Sequence, residues 1–265
     1  IAGRTFIINS SLTTTAMAIG TGEKPSVISA IMKYHTTELS RKISIDAIDI
    51  HGGKGVMLGP KNYLAASYES APIGITVEGA NIMTRSLIIF GQGAFRCHPY
   101  VLKEIQAVEE EDLNESLDQF DQHFFDHIGY TLSNASRSFV RGITNKFTES
   151  PVLDETANYY KEINRFSAAF ALLTDVSMLV LGGTLKRKET ISARLGDVLS
   201  SLYLASTSLK YYEDIGNKEA DLPLVHWTQK KLLHEAQESM HETLINFPNK
   251  IVAVLLRCLI FPMGR

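Results

Sequence analysis

The spacing of apolar residues constrains this chain most, because it keeps a helical period along nearly the whole length. After Pro25, apolar or semi-apolar side chains recur at Ile28, Ile31, His35, Leu39, Ile43 and Ala47. Steps of three and four draw one stripe along a helix. Leu117, Phe120, Phe124, His127 and Ile128 repeat the pattern within 113–141. Further helices are expected over 80–90, 156–185, 191–212 and 223–247, with a short one between the Gly59-Pro60 turn and Tyr68. Ala71-Pro-Ile-Gly-Ile75 reads as a loop, and Gly91-Gln-Gly93 as the stop of the 80–90 helix. No hairpin signal, alternating strand or repeat is present. The fold class is therefore all-α, with helices packed as bundles.

Composition narrows the function classes. With 265 residues, 45% of them apolar, the chain can bury a sizeable core without covalent staples. Its two cysteines, Cys97 and Cys258, exclude a disulfide scaffold, argue against a multi-cysteine zinc site and fit a reducing, cytoplasmic compartment. Lys plus Arg total 26 against 29 acidic residues, so no basic surplus points to nucleic acid. Phe166 to Leu185 is largely apolar but contains Thr174, Asp175 and Ser177, and Ile251 to Pro262 is short and holds Arg257. A membrane span needs about 20 predominantly apolar residues. Both stretches read as buried core helices, compatible with peripheral contact at the inner membrane. The chain opens at Ile1 without an initiator Met or charged leader and closes at Phe261-Pro-Met-Gly-Arg265. It reads as an internal piece of a longer protein.

Two short segments carry candidate chemistry. His51-Gly-Gly-Lys-Gly55 follows the 26–51 stripe. Its glycines suit a helix cap, and they equally allow a ligand to approach bare backbone N–H groups. The segment lacks the Walker and dinucleotide signatures. In Thr76-Val-Glu-Gly-Ala-Asn81, Glu78 stands at a helix entry after an apolar run. That position suits a first-turn Glu favoured by the helix dipole, and it also suits a carboxylate acting as a general base. His35 reads as a packed core histidine, and Trp227 as core. Asp175 is expected to pair with Arg194 or Lys186, because buried charges need partners. Lys186-Arg-Lys188 and Lys230-Lys231 read as solvated faces. No His/Glu metal set at helical spacing and no Gly-x-Ser-x-Gly nucleophile motif is present, so no metal is expected.

The order of these segments adds a resemblance. A long helix ends in Asp49-Ile-His-Gly-Gly-Lys-Gly55, and Ile75-Thr-Val-Glu-Gly-Ala-Asn-Ile-Met-Thr-Arg-Ser86 follows, then Phe90-Gly-Gln-Gly-Ala-Phe-Arg-Cys-His-Pro99. This resembles the C-terminal helical domain of the acyl-CoA dehydrogenases, which carry Gln-x-x-Gly-Gly-x-Gly and then Tyr-Glu-Gly-Thr. Ser192-Ala-Arg-Leu-Gly-Asp197 and Leu222-Pro-Leu-Val-His-Trp227 resemble the extra C-terminal region of bacterial long-chain members. The resemblance implies a helical domain over 1–97, incomplete, and an additional, truncated helical domain over 98–265. It implies FAD as cofactor and oxidation of a medium- or long-chain acyl-CoA to the trans-2-enoyl-CoA in fatty-acid β-oxidation. Glu78 aligns with the base that removes the α-proton, and Gly79 with a substrate contact. Gly52, Gly53, Asp49 and Ala80 align with cofactor contacts, the glycines with FAD of a neighbouring subunit in a homo-oligomer. Electrons would pass to electron transfer flavoprotein or another acceptor. Asp49 stands where the family often has Gln, Val77 where it has Tyr, and Ala80 and Ile82 where Thr and Gln often contact the cofactor. The N-terminal helical and middle β-domains of the family have no counterpart here. An acyl-CoA oxidase shares the same base and flavin, and a helical interaction module without chemistry is the reading from another class.

Overall fold

The computed structural model describes residues 1–144 and 148–264, and all regular structure among them is helical. Arg265 lies outside the described residues. The chain forms two compact units, Ile1–Arg85 with Tyr203–Leu232, and Ser86–Leu202 with the chain from Leu233 onward.

The first unit is built on α1 (Ala2–Gly20) and α2 (Ser26–His51). The apolar pattern draws no helix over the first 20 residues, and the reason is chemical. The buried face of α1 is Phe6, Ile7, Ser10, Ser11 and Thr15, largely hydroxyls. Ser11 and Thr15 are paired by the 203–214 part of α10 (Glu189–Asp214), while Ser10 Oγ donates to Ile7 O of its own helix. Ser11 Oγ lies 2.9 Å from Thr207 Oγ1, and Thr15 Oγ1 lies 2.7 Å from Tyr203 OH. A polar seam of this kind is invisible to hydrophobic periodicity. Gly3 is also needed in α1. A Cβ there would stand 2.2 Å from the Trp227 ring, carried by α11 (Leu222–Ile245). Trp227 is 44% exposed, so it covers α1 from the rim rather than filling the core.

The α2 helix forms over the predicted stretch and buries Ile31 and Leu39 of the stripe together with Val27 and Met32, while Ile28, Ile43 and Ala47 are half-buried. Gly52 ends it with φ 54, a left-handed value that glycine adopts without strain. A single turn, α3 (Gly53–Val56), follows, and then α4 (Ala65–Thr76). Residues 71–75 belong to α4 and are not a loop. Pro72 removes one backbone donor, but Gly74 lets the helix close on α2, where a Cβ would reach Thr37 Cγ2 at 3.3 Å. Packing on α2 overrides the local Pro/Gly signal.

The second unit holds the rest of the chain. After α5 (Asn81–Met83), a π-helix runs over Thr84–Gln92 and continues into α6 (Gly93–Arg96). Gly91 and Gly93 therefore do not stop the helix. The wider turn brings Ile89 and Phe90 into the core, each 1% exposed. Next come α7 (Val101–Val108), α8 (Leu113–Ile143), α9 (Ala157–Leu181) and, at the end, α12 (Lys250–Ile260). Asp112, the last residue of the acidic run Glu109-Glu-Glu-Asp112, caps α8 by accepting from the backbone N–H groups of Asn114 and Glu115. Gly142 of α8 meets Pro262, which a Cβ would approach to 2.7 Å, and Ser138 Oγ donates to Leu259 O at 3.2 Å. Ala157–Arg187 is long and apolar enough to cross a membrane, yet it packs on α8 and buries Phe166, Leu172, Leu173 and Asp175.

His35 sits on the α2 stripe as a packed histidine, its Nε2 buried without a hydrogen-bond partner. Burial pushes its pKa down to about 3, and the charges of Lys42, Lys231 and Arg85 add to the effect. The folded state thus holds the ring neutral where the unfolded chain begins to protonate it. Stability from this site is complete above pH 6.5 and is lost as pH falls from there towards 3. The stability-versus-pH slope below 6.5 should flatten in His35→Leu, by up to about 1.4 kcal/mol per pH unit. Urea midpoints at pH 7, 5.5 and 4.5 measure it, and parallel slopes in the two proteins would refute it.

Candidate functional site

Glu78 lies in the turn between α4 and α5. Val77 leaves α4 in extended conformation, Glu78 takes φ 52 and Gly79 φ 90. A left-handed glutamate is uncommon, since its Cβ crowds the following carbonyl. The neighbours of Glu78 are held by α2. Lys33 Nζ donates to Gly79 O and to Asn81 Oδ1, each at 2.7 Å. Asn81, 3% exposed, donates from Nδ2 to Thr37 Oγ1 and Glu38 Oε1, each at 3.0 Å. Arg41 completes the network on Glu38 Oε2 at 2.7 Å. The Glu78 carboxylate has no hydrogen-bond or ion-pair partner among the described residues, and it is exposed. Ile73, Val77, Ile82 and Met83 expose an apolar rim around the same turn. This chain alone does not shield Glu78 from water.

The glycine turn lies elsewhere. Gly52 N–H donates to Ile48 O at 2.9 Å and Asp49 O at 3.3 Å, closing α2. A Cβ on Gly52 or Gly53 would meet nothing within 4 Å. The backbone here faces open space, with the exposed Asp49 side chain just before it. Asn62 fixes the turn from behind. Its Nδ2 donates to Gly55 O and Met57 O at 2.8 Å, while its Oδ1 accepts from the N–H groups of Leu64 and Ala65. A cleft beside the turn is lined by His51, Lys54, Lys61 and Tyr63. Helical rise of about 1.5 Å per residue puts Lys33, and with it the Glu78 turn, about 28 Å from Gly52 along α2. One copy of the chain does not bring the two turns together.

The second unit contains a buried polar cluster that no sequence spacing revealed. Asp175 of α9 does not pair with Arg194 or Lys186. Arg194 instead meets Glu242 at 2.8 Å. Asp175 accepts from His98 Nε2 at 2.8 Å and from Thr131 Oγ1 at 2.8 Å, and His127 Nε2 lies 3.6 Å away. His127 Nδ1 meets Glu104 at 2.7 Å. His98, His127 and Asp175 place three ligand-type atoms within 4.8 Å of one another. The tautomer decides how to read them. His98 Nδ1 accepts from the backbone N–H groups of Tyr100 and Val101, both at 3.2 Å. Backbone N–H can only donate, so the ring proton sits on Nε2 and points at Asp175. A metal ion would need that lone pair. The cluster is a hydrogen-bonded network that joins the start of α7 to α8 and α9.

Comparison with known proteins finds two family matches in succession along the chain. Residues 95–265 match the family described as acyl-CoA dehydrogenase, C-terminal, bacterial type, and residues 6–91 match the acyl-CoA dehydrogenase C-terminal domain. The chain belongs to the acyl-CoA dehydrogenase family. A solved acyl-CoA dehydrogenase from Bacillus anthracis, described as complexed with FAD, superposes with a TM-score of 0.69 at 17% sequence identity. The match covers 98% of this chain and 44% of that one, so the present chain spans less than half of its length. At that identity the likeness is one of fold.

Within the acyl-CoA dehydrogenase family, the departures noted in the sequence acquire a place. Val77 and Ile82 are exposed beside Glu78, and Ala80 caps α5 without a side-chain hydrogen bond. Only backbone groups are offered at these positions. Lys33, Asn81 and Asn62 went unnoticed in the apolar pattern. The polar series Lys33, Thr37 and Arg41, spaced by four beside the apolar stripe, was the signal for the first two.

Removing Asp175 tests the reading of the bacterial-type cluster. Asp175→Ala leaves the His98 N–H without its acceptor, while the Thr131 hydroxyl can still donate to His127 O at 3.0 Å, and should lower stability by about 1–3 kcal/mol. Asp175→Asn, which keeps an acceptor, should cost clearly less. Chemical denaturation measures both, and a loss below about 1 kcal/mol for the alanine variant would contradict the network.

Proposed function

We propose that the chain is the base-carrying helical part of a longer FAD-dependent acyl-CoA dehydrogenase, one that converts medium- or long-chain acyl-CoA to trans-2-enoyl-CoA in fatty-acid β-oxidation. The observation that carries this reading is the Glu78 turn: a carboxylate without a partner, on a backbone held in place, inside an apolar rim. Abstraction of a proton beside a carbonyl calls for a base fixed in space and shielded from water. The contacts of its turn with α2 meet the first condition for the Glu78 backbone. The rim of Ile73, Val77, Ile82 and Met83 supports the second, because an acyl chain or another domain resting on it would displace water from the carboxylate. Glu78 Oε takes the α-proton of the thioester and holds it, while the backbone N–H groups of Gly79 and Ala80 remain available beside it. When bound, FAD supplies the acceptor for the β-hydrogen.

The chain's own residues fit such a cofactor at the glycine turn. Gly52 and Gly53 leave the backbone bare to open space, and Lys54 and Lys61 in the neighbouring cleft offer cations to a pyrophosphate. The separation of this turn from Glu78 along α2 favours a site in which the two serve different cofactors, one of them held by a second subunit. That reading makes the enzyme a homo-oligomer, and electron transfer flavoprotein the expected electron acceptor.

Glu78→Gln in the full-length enzyme should leave FAD bound and lower turnover by about 10²–10⁴-fold. Steady-state assays with saturated acyl-CoA and an artificial electron acceptor measure it. Turnover above about a tenth of wild type would show that another group is the base.

Gly53→Val separates the ligand role of the glycine turn from a folding role. Gly53 has helical rather than left-handed backbone, and its Cβ would meet nothing, so the variant should melt within a few degrees of wild type. Flavin content of the purified full-length enzyme should fall. Full flavin occupancy would remove the turn from the cofactor site.

A further inference from the structure

We propose that Lys33 is a positioning residue for Glu78: its ammonium, acting with Asn81, holds the turn in which the carboxylate is presented. The inference rests on reading Glu78 as the base. Lys33 has no carboxylate within ion-pair distance among the described residues, and both of its hydrogen-bond partners are neutral oxygens. One is the carbonyl of Gly79, the residue that follows Glu78. The other is the side chain of Asn81, the residue that starts α5. A lysine placed for surface charge would face water. This one reaches from α2 across the turn and closes it.

The turn needs such a clasp. Glu78 and Gly79 both have positive φ, and Glu78 has a Cβ that disfavours this region. Extended or right-handed alternatives for Glu78 would swing the following peptides and separate the Gly79 carbonyl from Lys33. Thr84 Oγ1 also donates to Gly79 O, but at 3.3 Å it is the weaker partner. On the other side, Asn81 is buried and anchored to Thr37 and Glu38, so α2 holds the turn through two contacts three residues or fewer from Glu78. The carboxylate itself stays unpartnered. The arrangement fixes the backbone and leaves the reacting group free, as a base aimed at one carbon atom requires.

A structural role alone would predict lost stability and flavin together. Positioning predicts a loss that appears in turnover and passes through Glu78. The experiment uses the full-length holoenzyme and Lys33→Met, which keeps the length of the stem and removes the ammonium. Turnover should fall by about 10–100-fold, with KM and flavin content within about two-fold of wild type. Lys33→Arg should recover part of the loss. In a Glu78→Gln background, Lys33→Met should change the rate of single-turnover flavin bleaching by less than about two-fold, because residues acting through one group are not additive. Unchanged turnover in Lys33→Met overturns the proposal. So does a loss that multiplies with Glu78→Gln, or one confined to KM or flavin content. If Lys33→Met does not fold, Asn81→Ala and Lys33→Arg carry the same comparison. A Glu78→Gln enzyme that stays active would instead overturn the reading of the base, whatever Lys33→Met does.

Discussion

Lys33 and Asn81 join two helices through the few atoms that matter most in the first unit. Their four hydrogen bonds tie the end of α4 and the start of α5 to the middle of α2. Gly74 allows the approach of α4, and the α2 stripe buries its own apolar face beneath. The network is polar and partly buried, so each member depends on the others. An Asn81 without Glu38, or a Glu38 without Arg41, would leave a desolvated group unpaired. Such a network adds little net stability over an apolar seam of the same shape, but it specifies one geometry. At a turn that must hold a glutamate in a left-handed conformation, specifying the geometry is the useful property.

How much of this was legible depended on what kind of force held each element. The α2, α8 and α9 helices were readable because burial of apolar side chains drives them and leaves a period in the sequence. Gly52 was readable as a stop, since only its conformational freedom was at issue. The α1 helix was not, because most of its buried face is hydroxyl-bearing, with Ser11 and Thr15 paired to residues about 190 positions later. Residues 71–75 looked like a loop because Pro72 and Gly74 are local breakers. Their helix packs on α2, a contact that no local window contains.

The site divides in the same way. Glu78 and the glycines stood out through the motifs they resemble. Lys33, Asn81 and Asn62 did not, because each acts on backbone atoms of a distant or differently paced segment. Asp175 shows the limit most clearly. A buried aspartate needs a partner, and that much was correct. Naming Arg194 or Lys186 followed from nearness in sequence and opposite charge. The actual partners are neutral or titratable groups brought from α8 and from the stretch before α7. Charge complementarity along a chain is a weak guide where hydrogen bonding in three dimensions can satisfy the same carboxylate.

The length of α2 carries the last step. Its two ends serve two different turns, one that presents an unpartnered carboxylate and one that presents bare backbone. Because the helix is rigid and the turns are about 28 Å apart, neither can be moved to the other without breaking α2. If both turns act on a flavin, as proposed, the simplest arrangement is one in which each copy offers its base to one cofactor and its glycine turn to another. The glycines then belong to the assembly as much as to the site. Their open surroundings in a single copy follow from that, and so does the exposure of Glu78. In that proposed arrangement each turn faces a surface that a single copy of this chain does not itself contain.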